Sequence, residues 1–193
     1  GVGKQRAAEA ALKTIEQFFP DRLLSIGYAG GLIPNLEVSD LIVAKQIVDV
    51  ESSAEFVPNQ QWLHMAQNVS APENYKVISG KLVTADKVIH SPQDKKEFGE
   101  RFSAEAVEME TSAIAKVVTD KNLPFLSVRA ISDSVEQEIL DSSSFLGSDG
   151  EISKLKAGWY VLTHPGSISS ALSLRSQTQR ATRTMTEFVS HLL

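Results

Sequence analysis

The stretch from Leu126 to Ile131 restricts this chain more than any other. It is a near-continuous apolar run, expected of a parallel strand covered on both faces, and its end releases Ser132 and Asp133 into a loop. Arg129 interrupts it. A guanidinium there must be paired, either with a carboxylate in a structural ion pair or with a ligand anion.

A second stretch, Ala106 to Ala113, carries two carboxylates and a thioether where a short apolar run turns into a helix. In extended backbone Glu108 and Glu110 point together and Met109 points away. From Thr111 onward the spacing predicts a helix with Ile114, Val117 and Val118 facing inward. Its dipole would by itself account for one of the carboxylates. If both strand ends open onto one crevice, that crevice holds acceptors for a polyhydroxylated ligand, a thioether to cover it, and an acid. Such a set suits separating a sugar from a base.

The remaining chain supplies strands and helices in alternation. Ala7, Ala8, Ala11, Leu12, Ile15, Phe18 and Phe19 recur at helical spacing after Gly1-Val2-Gly3, and Pro20-Asp21 ends that helix. Gly1-Val2-Gly3 lacks a third glycine, so it is no dinucleotide fingerprint, and the chain reads as beginning inside a βα unit. A short strand, Leu23 to Ile26, runs into Gly27-Tyr28-Ala29-Gly30-Gly31. These glycines allow either a close approach to a ligand or simply a sharp turn. Leu41–Ala44 and Ile47–Val50 read as two strands, 51–58 as loop, and a helix starts near Gln61. His64 has no partner nearby in sequence, which favours a surface or packing role. Lys76 to Thr84 is a strand, and Ser91-Pro92 starts a helix whose charges, Asp94 to Glu100, read as a solvated face. Beyond Asp133 the chain is loop-like to Gly150, passes Trp159-Tyr160-Val161-Leu162 (Trp159 favoured as core), and breaks at Pro165-Gly166. A helix from about Ser169 to Leu193 carries Met185, Phe188, Val189 and Leu192 on its apolar stripe. The expectation is one α/β domain over 1–193, a central, mainly parallel or mixed sheet flanked by helices. Ligands of such folds gather outside the carboxyl ends of the strands, where Gly27–Gly31, Glu108–Glu110 and Ser132-Asp133 all fall.

Composition narrows the classes. A net charge of −5 argues against a general nucleic-acid binder. The absence of cysteine excludes disulfides and thiolate metal sites. No apolar run approaches the roughly 20 residues that span a bilayer. Cytoplasmic localisation is the expectation.

Four segments, in order, resemble the purine nucleoside phosphorylase and nucleosidase superfamily, which includes the methylthioadenosine/adenosylhomocysteine nucleosidases. They are Gly1-Val2-Gly3-Lys4, Gly27 to Leu32, Val107 to Ala113, and Val128 to Asp133. The likeness covers the chain to about Val135, and the tail is more similar to hopanoid-associated phosphorylases. The resemblance implies a nucleoside phosphorylase-like fold and cleavage of a purine-type N-glycosidic bond by water or phosphate. Glu110 then binds the ribose, Met109 packs under the sugar with Glu108 before it, and Asp133 meets the purine N7 with Ser132 beside it. Val88 and Ile89 line the base pocket, Tyr28, Ala29 and Gly30 form the glycine segment, and Arg129 lies near the attacking water or phosphate. No metal or organic cofactor is implied, inorganic phosphate entering only as a co-substrate, and copies of the chain are expected to assemble into a homo-oligomer.

The chain also departs from the pattern. The family's first strands, with the glutamate that activates water in the nucleosidases, would lie before Gly1. Tyr28 stands where many members have serine or threonine, a bulk able to reshape or fill the phosphate or water pocket. Ser25 stands where some phosphorylases have arginine. An active enzyme is therefore weighed against a nucleoside-binding or assembly homologue with an incomplete nucleophile side, and against an unrelated α/β domain.

Overall fold

The structure, a computed structural model, describes residues 3–69, 75–139 and 167–193, with side chains of the last helix from 176 onward. The expectations for Trp159 to Leu162 and for Pro165-Gly166 therefore lie outside the described residues.

The apolar run near position 130 is the middle of β6 (Phe125–Asp133). Its even positions Leu126, Val128 and Ala130 face one hydrophobic cluster and Ile131 faces another, which is why the run shows no alternation. Beside it lies β1 (Leu23–Gly31), parallel and in register from Leu23↔Phe125 to Ala29↔Ile131. The glycine segment is thus strand rather than loop. After an irregularity at Ala29/Gly30, β1 also pairs antiparallel with β5 (Ala106–Glu108), through Gly30↔Val107 and Gly31↔Ala106. Ladders on both sides override the poor strand preference of glycine, and the missing side chains have another use at the site.

β2 (Leu41–Asp49) replaces the two strands expected at 41–50. It runs through a register shift between Ala44 and Gln46, so the polar Lys45-Gln46 pair marks an irregularity rather than a turn. It lies parallel to β4 (Val77–Thr84) and carries a two-residue edge partner, β3 (Glu55–Phe56), in the stretch expected to be loop. It also pairs antiparallel with β6, from Leu41↔Ala130 to Val43↔Val128. The sheet order β2-β4-β5-β1-β6 consequently closes on itself. Pairings β1–β6, β2–β4 and β4–β5 are parallel, and β1–β5, β2–β3 and β2–β6 antiparallel, so the sheet is mixed.

Helices cover this closed sheet. α1 (Lys4–Phe18) packs on α4 (Thr111–Asp120). It ends at Phe19, in the left-handed conformation at φ 47°, because a residue before proline is disfavoured in the helical region. Phe18 and Phe19, read above as part of its apolar stripe, are instead 68% and 82% exposed, past the end of the packed face. α2 (Gln60–Gln67) is capped by Asn59, and its buried Trp62 and Leu63 join Met185, Phe188 and Leu192 of α5 (Ser167–Leu192) over β2 and β6. His64 stays at the surface, beside Asn68. α3 (Pro92–Phe102) starts as expected, Ser91 accepting from the Asp94 N–H. Its Gly99 lies against Leu32, where an added Cβ would stand 2.8 Å from the Leu32 carbonyl. Among the described residues no helix is long and apolar enough to cross a membrane.

Candidate active site

Four chain segments converge at the strand ends: Tyr28-Ala29-Gly30 of β1, Lys87-Val88-Ile89 after β4, Val107 to Glu110 at and beyond the end of β5, and Ser132-Asp133 of β6. With Ile139 they line one crevice of about 190 Å³. Glu110 and Asp133 therefore share a hollow, and Glu108, Met109, Val88, Ile89 and Ser132 are in it too. Arg129 is not among the lining residues.

The two glutamates do different work because the extended backbone stops at Glu108. Glu108 is buried and turns its carboxylate onto the start of α4. It accepts from the N–H of Glu110 (2.9 Å), the N–H of Thr111 (2.8 and 3.0 Å) and the hydroxyl of Thr84 (2.6 Å). Bare N–H groups at a helix start are thereby satisfied. Glu110 occupies the cap position itself but makes no capping bond with its side chain, which lines the crevice and accepts from the Gly3 N–H at 3.0 Å.

Arg129 lies beneath this floor. Arg129 shares a face of β6 with Ile131 two residues on, and the irregularity at Ala29/Gly30 sets Asp133 apart from both. It is 3% exposed and donates to Ser25 Oγ (2.8 Å), Thr111 Oγ1 (2.7 Å) and the Val128 carbonyl (3.0 Å), with Glu108 Oε2 at 3.6 Å. Burial pushes its guanidinium below the ordinary value, while the charges of Glu108 and Glu110 oppose that shift. Of the two partners left open above, the structure places a protein carboxylate there. Gly27 lies directly beside Arg129, an added Cβ there meeting the guanidinium carbon at 3.4 Å, an ordinary van der Waals contact.

Asp133 is held on both oxygens. Ser132 Oγ donates to Oδ1 at 2.6 Å, and Lys95 Nζ stands 2.6 Å from Oδ2. Gly30 gives room for this carboxylate, its hypothetical Cβ falling 3.0 Å from Oδ2. Lys95 lies in the segment read above as a solvated helix face, yet it is completely buried. The sequence held a signal for it: Lys95 precedes Phe98 and Phe102 by three and seven residues, so it belongs to the inward stripe of α3. Tyr28 lines the crevice, and its phenol is 2.6 Å from Thr182 Oγ1 of α5. The ring is thus anchored as a side wall.

A second ionic cluster at the α1 start also escaped the sequence reading. Lys4 Nζ is 2.8 Å from Asp49 and 2.7 Å from Asp86, and Ser112 Oγ donates to Asp49 at 2.6 Å. Burial alone would raise the Asp49 carboxyl, but bonds from Lys4, Ser112 and Ser52 outweigh it and hold the group far below the usual carboxylate range. A depressed folded value means that the unfolded chain binds the proton more readily. The contribution of Asp49 to stability is then complete above about pH 4 and lost as pH falls further. Urea denaturation of wild type and Asp49→Asn should show a stability gap at pH 7 that narrows at pH 3; a gap independent of pH would contradict it.

The family model of the phosphorylase superfamily matches residues 1–155. Among curated relatives, the 5'-methylthioadenosine/S-adenosylhomocysteine nucleosidase of Staphylococcus haemolyticus is 32% identical over 149 residues, covering 69% of this chain and 65% of that protein. That of Shewanella loihica is 30% identical over 173 residues, covering 80% and 75%. The chain thus spans about two thirds to three quarters of the length of these relatives. Solved structures share the fold. The nucleosidase of Helicobacter pylori superposes with a TM-score of 0.73 at 20% identity, over 99% of this chain and 75% of that one. That of Colwellia psychrerythraea, in complex with adenine, superposes with a TM-score of 0.74 at 20% identity, over 100% and 74%.

Proposed function

The chain belongs to the phosphorylase superfamily, and from that premise we propose that its crevice binds a purine nucleoside of the adenosine or methylthioadenosine type and cleaves the N-glycosidic bond with water. The observation that carries this reading is the common crevice of Glu110, Met109 and Asp133. Water is favoured over phosphate because the relatives named above are nucleosidases.

As the bond between the sugar and the base breaks, the ribose takes on oxocarbenium character and the base takes on negative charge. Glu110 accepts hydrogen bonds from the ribose hydroxyls and fixes the ring, with Met109 packed against it. Val88, Ile89 and Ile139 supply apolar surface for the base. Asp133 meets the base nitrogen that gains a proton, which lowers the barrier to departure. Arg129 and Glu108 act from below, holding the Glu110 backbone and the start of α4 in place. Ser132 fixes the Asp133 carboxyl group. This chemistry requires no metal or organic cofactor, since carboxyl groups meet both the cation and the leaving group.

A cytoplasmic homo-oligomer completes the reading. It is supported by the lack of cysteine and by the exposed apolar side chains of Phe18, Phe19 and Ile26.

Product analysis with methylthioadenosine, with and without phosphate, tests the proposal. Free adenine and free sugar are expected in both conditions; a phosphorylated sugar would replace water by phosphate, and no product would remove the reading. Glu110→Ala should lower kcat/KM by about a hundredfold, as expected from losing charged hydrogen bonds to the sugar hydroxyls. An unchanged kcat/KM would take Glu110 out of the ribose site.

A further inference from the structure

Lys95 has the environment of a group with a task at the crevice. Its side chain is completely buried, and its ammonium faces three acceptors: Asp133 Oδ2 at 2.6 Å, the Ser134 carbonyl at 2.9 Å and the Gln137 carbonyl at 2.8 Å. All three of its N–H directions are used. Burying an ammonium is unfavourable unless it is paired, and an apolar residue of similar volume would fill the space at less expense. The first turn of a helix, where Lys95 lies, also disfavours a cation. The arrangement is explained by its partner, a carboxylate that lines the crevice and is fixed on its other oxygen by Ser132.

We propose that Lys95 is a positioning residue for the departure of the base. It orients the Asp133 carboxyl group and drives a shared proton from Asp133 onto the base. This rests on the reading that the crevice cleaves purine nucleosides. In the step, a proton taken up from solvent with the substrate lies in the hydrogen bond between Asp133 and the base nitrogen. The glycosidic bond breaks and its electron pair goes to the base, the proton follows to the base, water adds to the sugar carbon and returns a proton to solvent, and Asp133 remains a carboxylate. The ammonium favours that final state, because it leaves a neutral ion pair rather than a lone buried anion.

The test compares two leaving groups. A p-nitrophenyl riboside expels a stable phenolate that needs no proton, whereas methylthioadenosine expels adenine. Lys95→Met should lower kcat on methylthioadenosine about a hundredfold while the aryl riboside stays within about threefold, the range expected for loss of general-acid assistance. Lys95→Arg, which keeps the charge, should recover most of the rate. A merely structural role would lower both substrates alike, so equal losses, or no loss on either, would overturn the proposal. Circular dichroism checks the fold, and Lys95→Gln replaces the methionine variant if that one does not fold. Should wild type cleave neither substrate, the cleavage reading falls and the assignment is judged by adenine titration. Saturation of wild type that weakens at least about tenfold in Lys95→Met would keep Lys95 as the residue that sets Asp133 for the base. Equal affinities, or no saturation of wild type, would overturn it.

Discussion

Replacing Asp133 with asparagine is expected to lower cleavage of methylthioadenosine by a factor of about a hundred to ten thousand, the span of general acid–base contributions. An amide can accept from Lys95 but cannot pass a proton to the base. The same change reaches stability. Lys95 is completely buried and loses its anionic partner, so the asparagine variant keeps a charge in the interior with only neutral acceptors around it. Removing one partner of a buried ion pair costs about 3 to 5 kcal/mol, and the retained amide oxygen should hold the loss to the lower part of that range. The fold is therefore not indifferent to this position. Single-turnover kinetics at a temperature well below the melting point separates the two effects. Turnover within about twofold of wild type would remove Asp133 from the chemistry.

Glu108→Ala should give the largest loss of stability, about 3 to 5 kcal/mol by urea denaturation. Its carboxylate accepts from two backbone N–H groups and the Thr84 hydroxyl, and it is the nearest anion to the buried Arg129. Alanine leaves the two backbone N–H groups and the Thr84 hydroxyl without this acceptor, and the buried Arg129 without its nearest anion. Glu110→Ala, two residues on, breaks only the bond from Gly3 and should cost about 1 kcal/mol or less. The adjacent glutamates thus separate fold from function: a folding defect at 108 and a catalytic one at 110. Similar stability losses at both positions would refute this division.

Several features were legible in the chain alone, for reasons that are local. The run around Leu126 announced a strand covered on both faces, and its faces do meet different apolar clusters. Ser91-Pro92 marked a helix start because capping chemistry involves only near neighbours. The stripe Met185, Phe188, Val189 and Leu192 marked the buried side of the last helix. Where the reading missed, distant partners decided. Leu23–Gly31 stays extended because β5 and β6 hold its edges, although its glycines read as a loop. The sheet closes through β2 and β6, strands about ninety residues apart, and no local pattern records that pairing.

The sequence by itself determined the α/β class and three of the four segments that reach the crevice, because periodicity and strand ends follow from neighbouring side chains; Val88 and Ile89 were placed there only by the family resemblance. Only the tertiary structure decided which charges serve the site. Glu108 and Glu110 carry the same carboxylate, and Lys95 looks like its charged neighbours along α3. Their difference arises from what lies opposite: helix N–H groups and Arg129 for one glutamate, the open hollow for the other, and the Asp133 carboxylate for the lysine. A charge in the interior takes its role from the partner that offsets its loss of water, and that partner is brought by the fold from far along the chain.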